Sequence, residues 1–323
     1  MTVNGDFSTI NLGKADFGSI YVQPDPRAYF RTLGALDYVI PHLARPIFDQ
    51  LIDSRQRAKG GEPITILDLG CSYGVNAALM RYALSYDQLA ERYAALAAQP
   101  LDPDEVLALD RQYFAAWPKR RDVRIIGLDV SREAISYAMG CGILDKGIVA
   151  DLEQDDVPPA AAEILSKVDL IVSTGCVGYI SSKTFEKLAI CTSKDDAPWV
   201  ASFVLRMFDY ADIARTLERQ GLVTEKFEGA TFVQRRFRDE AEMQATLTAV
   251  TERGLDPFGK ESEGLFHAEL FFSRPESEAL ASPINQMVSI ASGINRNYGA
   301  RPMMAPKAIK AGRARRPVAA AAS

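Results

Sequence analysis

A chain of 323 residues, 47% hydrophobic and 24% charged, has the composition of a folded globular protein, long enough for one elaborated α/β domain or two average ones. No apolar run approaches the roughly 18 residues of a membrane span, and the N-terminus shows no basic stretch leading into an apolar one. Cys71, Cys141, Cys176 and Cys191 include no CxxC pair, so a zinc site and a disulfide framework are disfavoured and a cytoplasmic location is expected.

The net charge of −5 is unevenly spread: the segment after Pro283 holds seven basic residues and no acid. The body is therefore more acidic than the whole, which argues against a DNA-binding core.

In chain order, residues 1–60 read as a helical cap. Pro26–Asp53 is amphipathic, with Tyr29, Phe30, Leu33, Tyr38 and Val39 among its apolar residues, and breaks are expected at Pro41 and Pro46. Arg55–Pro63 is polar and glycine-containing and reads as a linker. The body, residues 61–275, opens on Ile64-Thr65-Ile66-Leu67-Asp68-Leu69-Gly70-Cys71-Ser72-Tyr73-Gly74. This is a short buried strand that ends in an acid, enters a tight glycine turn and leads into a helix from Val75. Backbone N–H groups at such a turn favour an anionic group, and glycines let a ligand approach the backbone closely.

Apolar, β-branched runs recur at Val123–Asp129, Gly147–Ala150, Asp169–Ser173 and Trp199–Arg206, separated by helical patterns. Strands alternating with helices predict a doubly wound α/β sheet, mostly parallel and covered on both faces. Asp129 follows Gly74 by 55 residues, whereas a dinucleotide fold places its ribose acid about 20 residues on. The excess, about 85–118, carries two helix starts, Ser85 with Gln88 and Asp102-Pro103 with Glu105. It reads as a helical insertion that either thickens the outside of the sheet or forms a lid or substrate wall. Later, Leu222–Phe227 and Thr231–Phe237 flank a turn, a helix spans Asp239–Arg253, and Leu265–Ser273 is a last, antiparallel strand at the sheet edge. Residues 276–323 read as a basic, disordered tail.

Asp68-Leu69-Gly70-Cys71-Ser72-Tyr73-Gly74 resembles motif I of class I S-adenosylmethionine-dependent methyltransferases, with Ser72 in place of the middle glycine. Ile125–Ser131 resembles the second strand of that family with its terminal acid, Ala150-Asp151-Leu152-Glu153 the segment after the third strand, and Val168–Thr174 the fourth. The resemblance implies a Rossmann-like seven-stranded sheet, S-adenosylmethionine as cofactor and methyl transfer to a small-molecule metabolite. It implies that the backbone around Gly70, Cys71, Ser72 and Gly74 holds the methionine part of the cofactor, and that Asp68 orients the turn or reaches the cofactor ammonium, or else is a buried acid capping backbone N–H groups. Asp129 would hold the ribose hydroxyls, Asp151 the adenine amino group and Leu152 the ring, with Val130 and Thr174 as further cofactor contacts. A nicotinamide dehydrogenase fits less well, since Ser72 stands where its second glycine belongs.

On the substrate side, Tyr179 would face the sulfonium, an interaction worth roughly 0.5–2 kcal/mol. His42 is a candidate general base suited to neutral pH, or else an exposed or capping histidine. Arg206 would bind a substrate carboxylate, or else pair with Asp209 or Asp212. Tyr29 and Tyr38 are candidate substrate contacts from the cap. No cluster points to a metal, and the absence of Asn-Pro-Pro-Tyr after the fourth strand argues against DNA adenine methylation. Two further readings use the same pocket. One is an enzyme like the azetidine-2-carboxylic acid synthases, which cyclise the cofactor and release methylthioadenosine. The other is a non-catalytic, cofactor-binding regulator.

Overall fold

Among the described residues, three helices precede the sheet: α1 (Gly18–Tyr21), α2 (Arg27–Gly34) and α3 (Ile40–Ala58). In the computed structural model, which describes residues 17–192 and 196–290, α3 is continuous where breaks were expected. Pro41 sits in its first turn, where a missing N–H costs nothing, and Pro46 is exposed and removes a single backbone bond. The first four residues of the expected linker, residues 55–58, are the end of this helix. Arg55 is buried with its guanidinium 5.3 Å from the Trp199 ring, and Lys59 Nζ bridges Asp169 at 2.5 Å and Asp196 at 2.6 Å. The cap is therefore clamped to the sheet.

The body continues through β1 (Ile64–Leu69), α4 (Val75–Arg81), α5 (Tyr86–Ala97), α6 (Pro103–Ala115), β2 (Val123–Asp129), α7 (Arg132–Gly140), β3 (Lys146–Val149) and α8 (Pro159–Leu165). It goes on through β4 (Leu170–Thr174), α9 (Ser182–Cys191), β5 (Trp199–Leu205), α10 (Ala211–Glu218), β6 (Leu222–Lys226), β7 (Phe232–Arg236), α11 (Glu240–Glu252) and β8 (Leu265–Pro275). The strand order is β3-β2-β1-β4-β5-β8-β6, with β7 also on β8. The pairs among β1 to β5 are parallel and β8 runs antiparallel to β5. Every residue of β1 and β5 is buried, as strands covered on both faces require.

The antiparallel strand is not at the edge. One side of β8 pairs with β5, and the other takes β7 near Leu265–Ala268 and then β6 at Phe271–Pro275. The sheet is thus seven positions wide, with two short strands sharing the last position. This is a Rossmann-like, doubly wound arrangement. The expected tail begins later than residue 276: α12 (Glu276–Ala281) and α13 (Ile284–Met287) pack back onto the body, with Ile284 and Val288 buried. The basic residues of the tail lie outside the described residues.

The insertion folds as expected, with both capping boxes formed, Ser85 with Gln88 on α5 and Asp102 with Glu105 on α6. Its apolar side meets the cap: Phe30 of α2 stacks on Tyr93 of α5 with centroids 4.4 Å apart. Beneath this stack Asp110 of α6 is wholly buried. It accepts from Arg92 at 2.6 Å and from the hydroxyls of Tyr93 (3.0 Å) and Tyr137 of α7. One carboxylate therefore joins the insertion to the helix after β2. Asp110→Asn keeps the shape but leaves the Arg92 charge unanswered, so it is expected to lower the unfolding free energy by about 3 kcal/mol. Guanidinium titration checks this, and an unchanged midpoint would contradict the role given to the carboxylate.

Candidate active site

The strand order reverses between β1 and β4, and ligands of such sheets bind in the crevice beyond the carboxyl ends at that point. A cavity of about 690 Å³ occupies it, within the roughly 300–1,000 Å³ of small-molecule sites. Leu69, Gly70, Cys71 and Ser72 form its floor. Gly70 has φ +70°, and a Cβ there would meet Cys176 Cβ at 2.7 Å. Ser72 replaces the family glycine yet keeps the left-handed backbone, with φ +49°. Gly74, also left-handed, packs against Ile143 and is not a wall of the cavity.

Asp129, at the end of β2, holds this turn. Its Oδ2 accepts the Ser72 N–H at 2.8 Å and its Oδ1 the Ser131 N–H at 2.9 Å. Burial nevertheless pushes its carboxyl above the ordinary range. Val130, exposed, and Asp151 and buried Leu152, after β3, continue the wall. Glu153 beside them accepts from Ser181 and Thr184 at the start of α9. Burial would raise its pKa, but the Ser181 and Thr184 hydrogen bonds outweigh burial and hold it below the usual value. Thr174 closes β4 and accepts from Asn76 Nδ2 at 2.8 Å.

The cap roofs the cavity with Tyr21, Tyr29 and Tyr38, and Tyr179 stands at its mouth, 58% exposed. Tyr29 lies edge-on to Tyr21 and Tyr38 with centroids 5.9 and 6.1 Å away. Burial drives the pKa of Tyr21, Tyr29 and Tyr38 upward, so all three stay protonated. Two contacts pin the roof to the floor: Ser131 Oγ donates to the Tyr21 carbonyl at 2.6 Å, and Tyr73 Oη donates to the carbonyls of Ile20 and Gln23.

Besides Gly74, three of the expected residues are elsewhere. His42 follows Pro41 in the first turn of α3, and Pro41, not His42, lines the cavity. Arg206 is buried away from the site, held by Glu261 at 2.5 Å and the Asp256 carbonyl at 3.0 Å, so its guanidinium is committed and a substrate carboxylate has no access to it. Its partner is neither Asp209 nor Asp212. Asp68 is fully buried behind the turn, not on the cavity wall. The insertion contributes no lining residue either; it buttresses the roof.

The residues missed are Phe17 and Tyr21, which precede the amphipathic segment, Asn76, and Gln234 and Arg235 on β7. The one signal for the last two was the change from apolar to polar residues midway along one strand, Phe232-Val233-Gln234-Arg235-Arg236. Arg235 is bidentate to Glu242 at 2.7 and 2.8 Å, with its guanidinium 5.0 Å from the Phe17 ring.

No protein-family model matches this chain, and no curated protein does. Among solved structures it is similar to a TehB-like SAM-dependent methyltransferase from Corynebacterium glutamicum, at 17% identity over 68% of this chain and 85% of that one, with a TM-score of 0.34. It is similar to the plantazolicin methyltransferase BamL in complex with a triazolic desmethyl analogue and SAH, at 13% identity over 83% and 99%, TM-score 0.41. A third is magnesium protoporphyrin IX methyltransferase from Synechocystis with bound SAM, at 10% identity over 84% and 98%, TM-score 0.36. These are likenesses of fold.

Burial pushes the Asp68 carboxyl up to about 7 from 3.8, against a partial pull from the Asn76 amide and the Ala77 N–H. The folded state therefore resists ionising it, while the unfolded chain ionises it above about 3.8. Stability lost to this group grows as pH rises from about 4 to 7 and then levels off. Subtracting the unfolding free energies of the Asp68→Asn variant and the native chain across that range is expected to give a slope that vanishes above about 7. A flat difference would show that Asp68 titrates alike in both states.

Proposed function

We propose that the chain is an S-adenosylmethionine-dependent methyltransferase acting on a small molecule. The observation that carries this is the cavity floor. Ser72 Oγ and Asn76 Oδ1, both on cavity-lining residues, are buried without a protein partner, a costly arrangement unless a ligand supplies one. The amino-acid end of the cofactor fits there, over the turn at Gly70, whose missing Cβ makes room for Cys176 beside it. Asp129 accepts the ribose hydroxyls, Asp151 meets the adenine amino group, and Val130 and Leu152 sandwich the ring. When bound, the cofactor supplies an electrophilic methyl group on a sulfonium.

The chain's own work is orientation and exclusion of water. Tyr21, Tyr29 and Tyr38 remain protonated and act as donors, not bases. His42 is off the wall. The acceptor atom must therefore arrive as a competent nucleophile, to be aligned and shielded beneath the tyrosine roof, with Tyr179 at the mouth.

Calorimetry with S-adenosylhomocysteine tests the reading. The native chain is expected to bind it, and Asp129→Ala to weaken binding at least tenfold, since the turn and the ribose contact fail together. Mass identification of the nucleoside formed from S-adenosylmethionine and a metabolite extract then fixes the reaction. S-adenosylhomocysteine with a methylated product supports methyl transfer, whereas methylthioadenosine from the cofactor alone would replace it with cyclisation. Absence of binding to either form of the cofactor would overturn the proposal.

A further inference from the structure

We propose that Gln234 is the residue that selects the acceptor, and that the enclosed part of the acceptor is an uncharged, planar group with a carboxamide-like edge. This rests on the methyltransferase reading above.

Gln234 lies on β7, the short strand that shares the outer side of β8 with β6. Its backbone carbonyl accepts the Val39 N–H at 2.8 Å, where the cap enters α3, so the residue is fixed to both sheet and roof. Its side chain lies over the turn that ends β4: a Cβ on Gly175, which has φ +73°, would sit 2.3 Å from Gln234 Nε2. The glycine is thus what leaves room for the amide at the carboxyl edge of the sheet. Gln234 is 5% exposed and lines the cavity, yet its side-chain amide has no hydrogen-bond partner among the described residues. An amide that opens onto a cavity without a protein partner offers a ligand a donor and an acceptor there.

The charges around it say what that ligand is not. Arg235 is neutralised by two bonds to Glu242, and the Glu153 oxygens, though still charged, are taken up by Ser181 and Thr184. The rest of this end is tyrosine and apolar side chains, Phe17, Leu33 and Pro41 among them. An ionic group enclosed here would find no unengaged counter-charge, and an unpaired buried charge is strongly disfavoured. An amide presents one acceptor and one donor group side by side. A carbonyl adjacent to an N–H answers both, and the edges and faces of Tyr29 and Tyr38 accommodate a flat body.

The test loads the protein with S-adenosylhomocysteine and titrates four probes of one size: benzamide, toluene, benzoate and benzylamine. Benzamide is expected to bind at least tenfold more tightly than the other three. Gln234→Leu is expected to reduce benzamide to the level of toluene, and Gln234→Glu to turn the preference toward benzylamine. Both variants should keep the native affinity for S-adenosylhomocysteine. Failure of benzamide to bind, tighter binding of a charged probe to the native chain, or Gln234→Leu leaving benzamide unchanged would overturn the assignment. Loss of S-adenosylhomocysteine affinity in the Gln234 variants would also overturn it, by moving the amide to the cofactor. Failure of the native chain to bind S-adenosylhomocysteine at all would instead break the underlying methyltransferase reading.

Discussion

The site depends on one carboxylate. Asp129 takes a backbone N–H from the turn after β1 and another from the turn after β2, at 2.8 and 2.9 Å, and so ties the ends of two neighbouring parallel strands together. The first of those donors belongs to Ser72, whose left-handed backbone is a conformation that costs a residue with a side chain roughly 1–2 kcal/mol. A charge-assisted bond of that length is of the size needed to offset it. The second donor, Ser131, carries the joint onward, because its hydroxyl also holds the Tyr21 carbonyl in the roof. Floor, side wall and roof of the cavity are thus linked through a group that itself faces the ligand.

The roof would be a weak element alone. α1 and α2 are short, and an isolated helix of eight residues is unstable in water. Aromatic packing onto the insertion supplies what they lack: Phe30 stacks on Tyr93, Tyr86 lies 6.0 Å from Phe30, and each such pair contributes about 0.5–1.5 kcal/mol beyond its buried area. Asp110 then fastens the insertion to α7, which follows directly on Asp129 and Ser131. The extra residues that separate Gly74 from Asp129 in sequence therefore return, in space, to the same corner of the sheet.

Much of this was legible in the chain. The strands and the two capping boxes came from period and cap chemistry, which are local. The resemblance carried by the turn and strand-end acids named Gly70, Ser72, Asp129, Asp151, Leu152 and Thr174, and the cap and the loop after β4 named Tyr29, Tyr38 and Tyr179; all of them line one cavity. What failed was set by distant partners. Arg206 is committed to Glu261, which no local pattern announces. His42 and Pro41 differ by one residue, and on a helix one step is about 100° of rotation. Pro46 was over-read as a break because the strength of α3 comes from its buried face, not from its backbone bonds. The insertion was legible as helices, but its role depends on which face of α2 needed cover.

The two halves of the cavity use polarity in opposite ways, and this bears on why β7 exists. Around the turn, polar atoms are dense: Ser72, Asn76, Thr174, Asp129 and Asp151 crowd the strand ends. Beneath the tyrosines they are sparse, and the nearby charged groups are engaged before a ligand arrives, Arg235 by Glu242 and the Glu153 oxygens by hydroxyl and N–H donors. A sheet edge closed by β6 alone would leave the loop after β4 open to solvent on that side. β7 occupies the gap, binds the cap backbone through Gln234 and Arg236, and brings a neutral amide where a charged residue would have polarised the whole compartment. In the methyltransferase reading proposed above, a sulfonium beside this largely apolar chamber would react with what is aligned against it. The selectivity of such a site therefore comes from shape and from a few neutral hydrogen bonds, not from ion pairing.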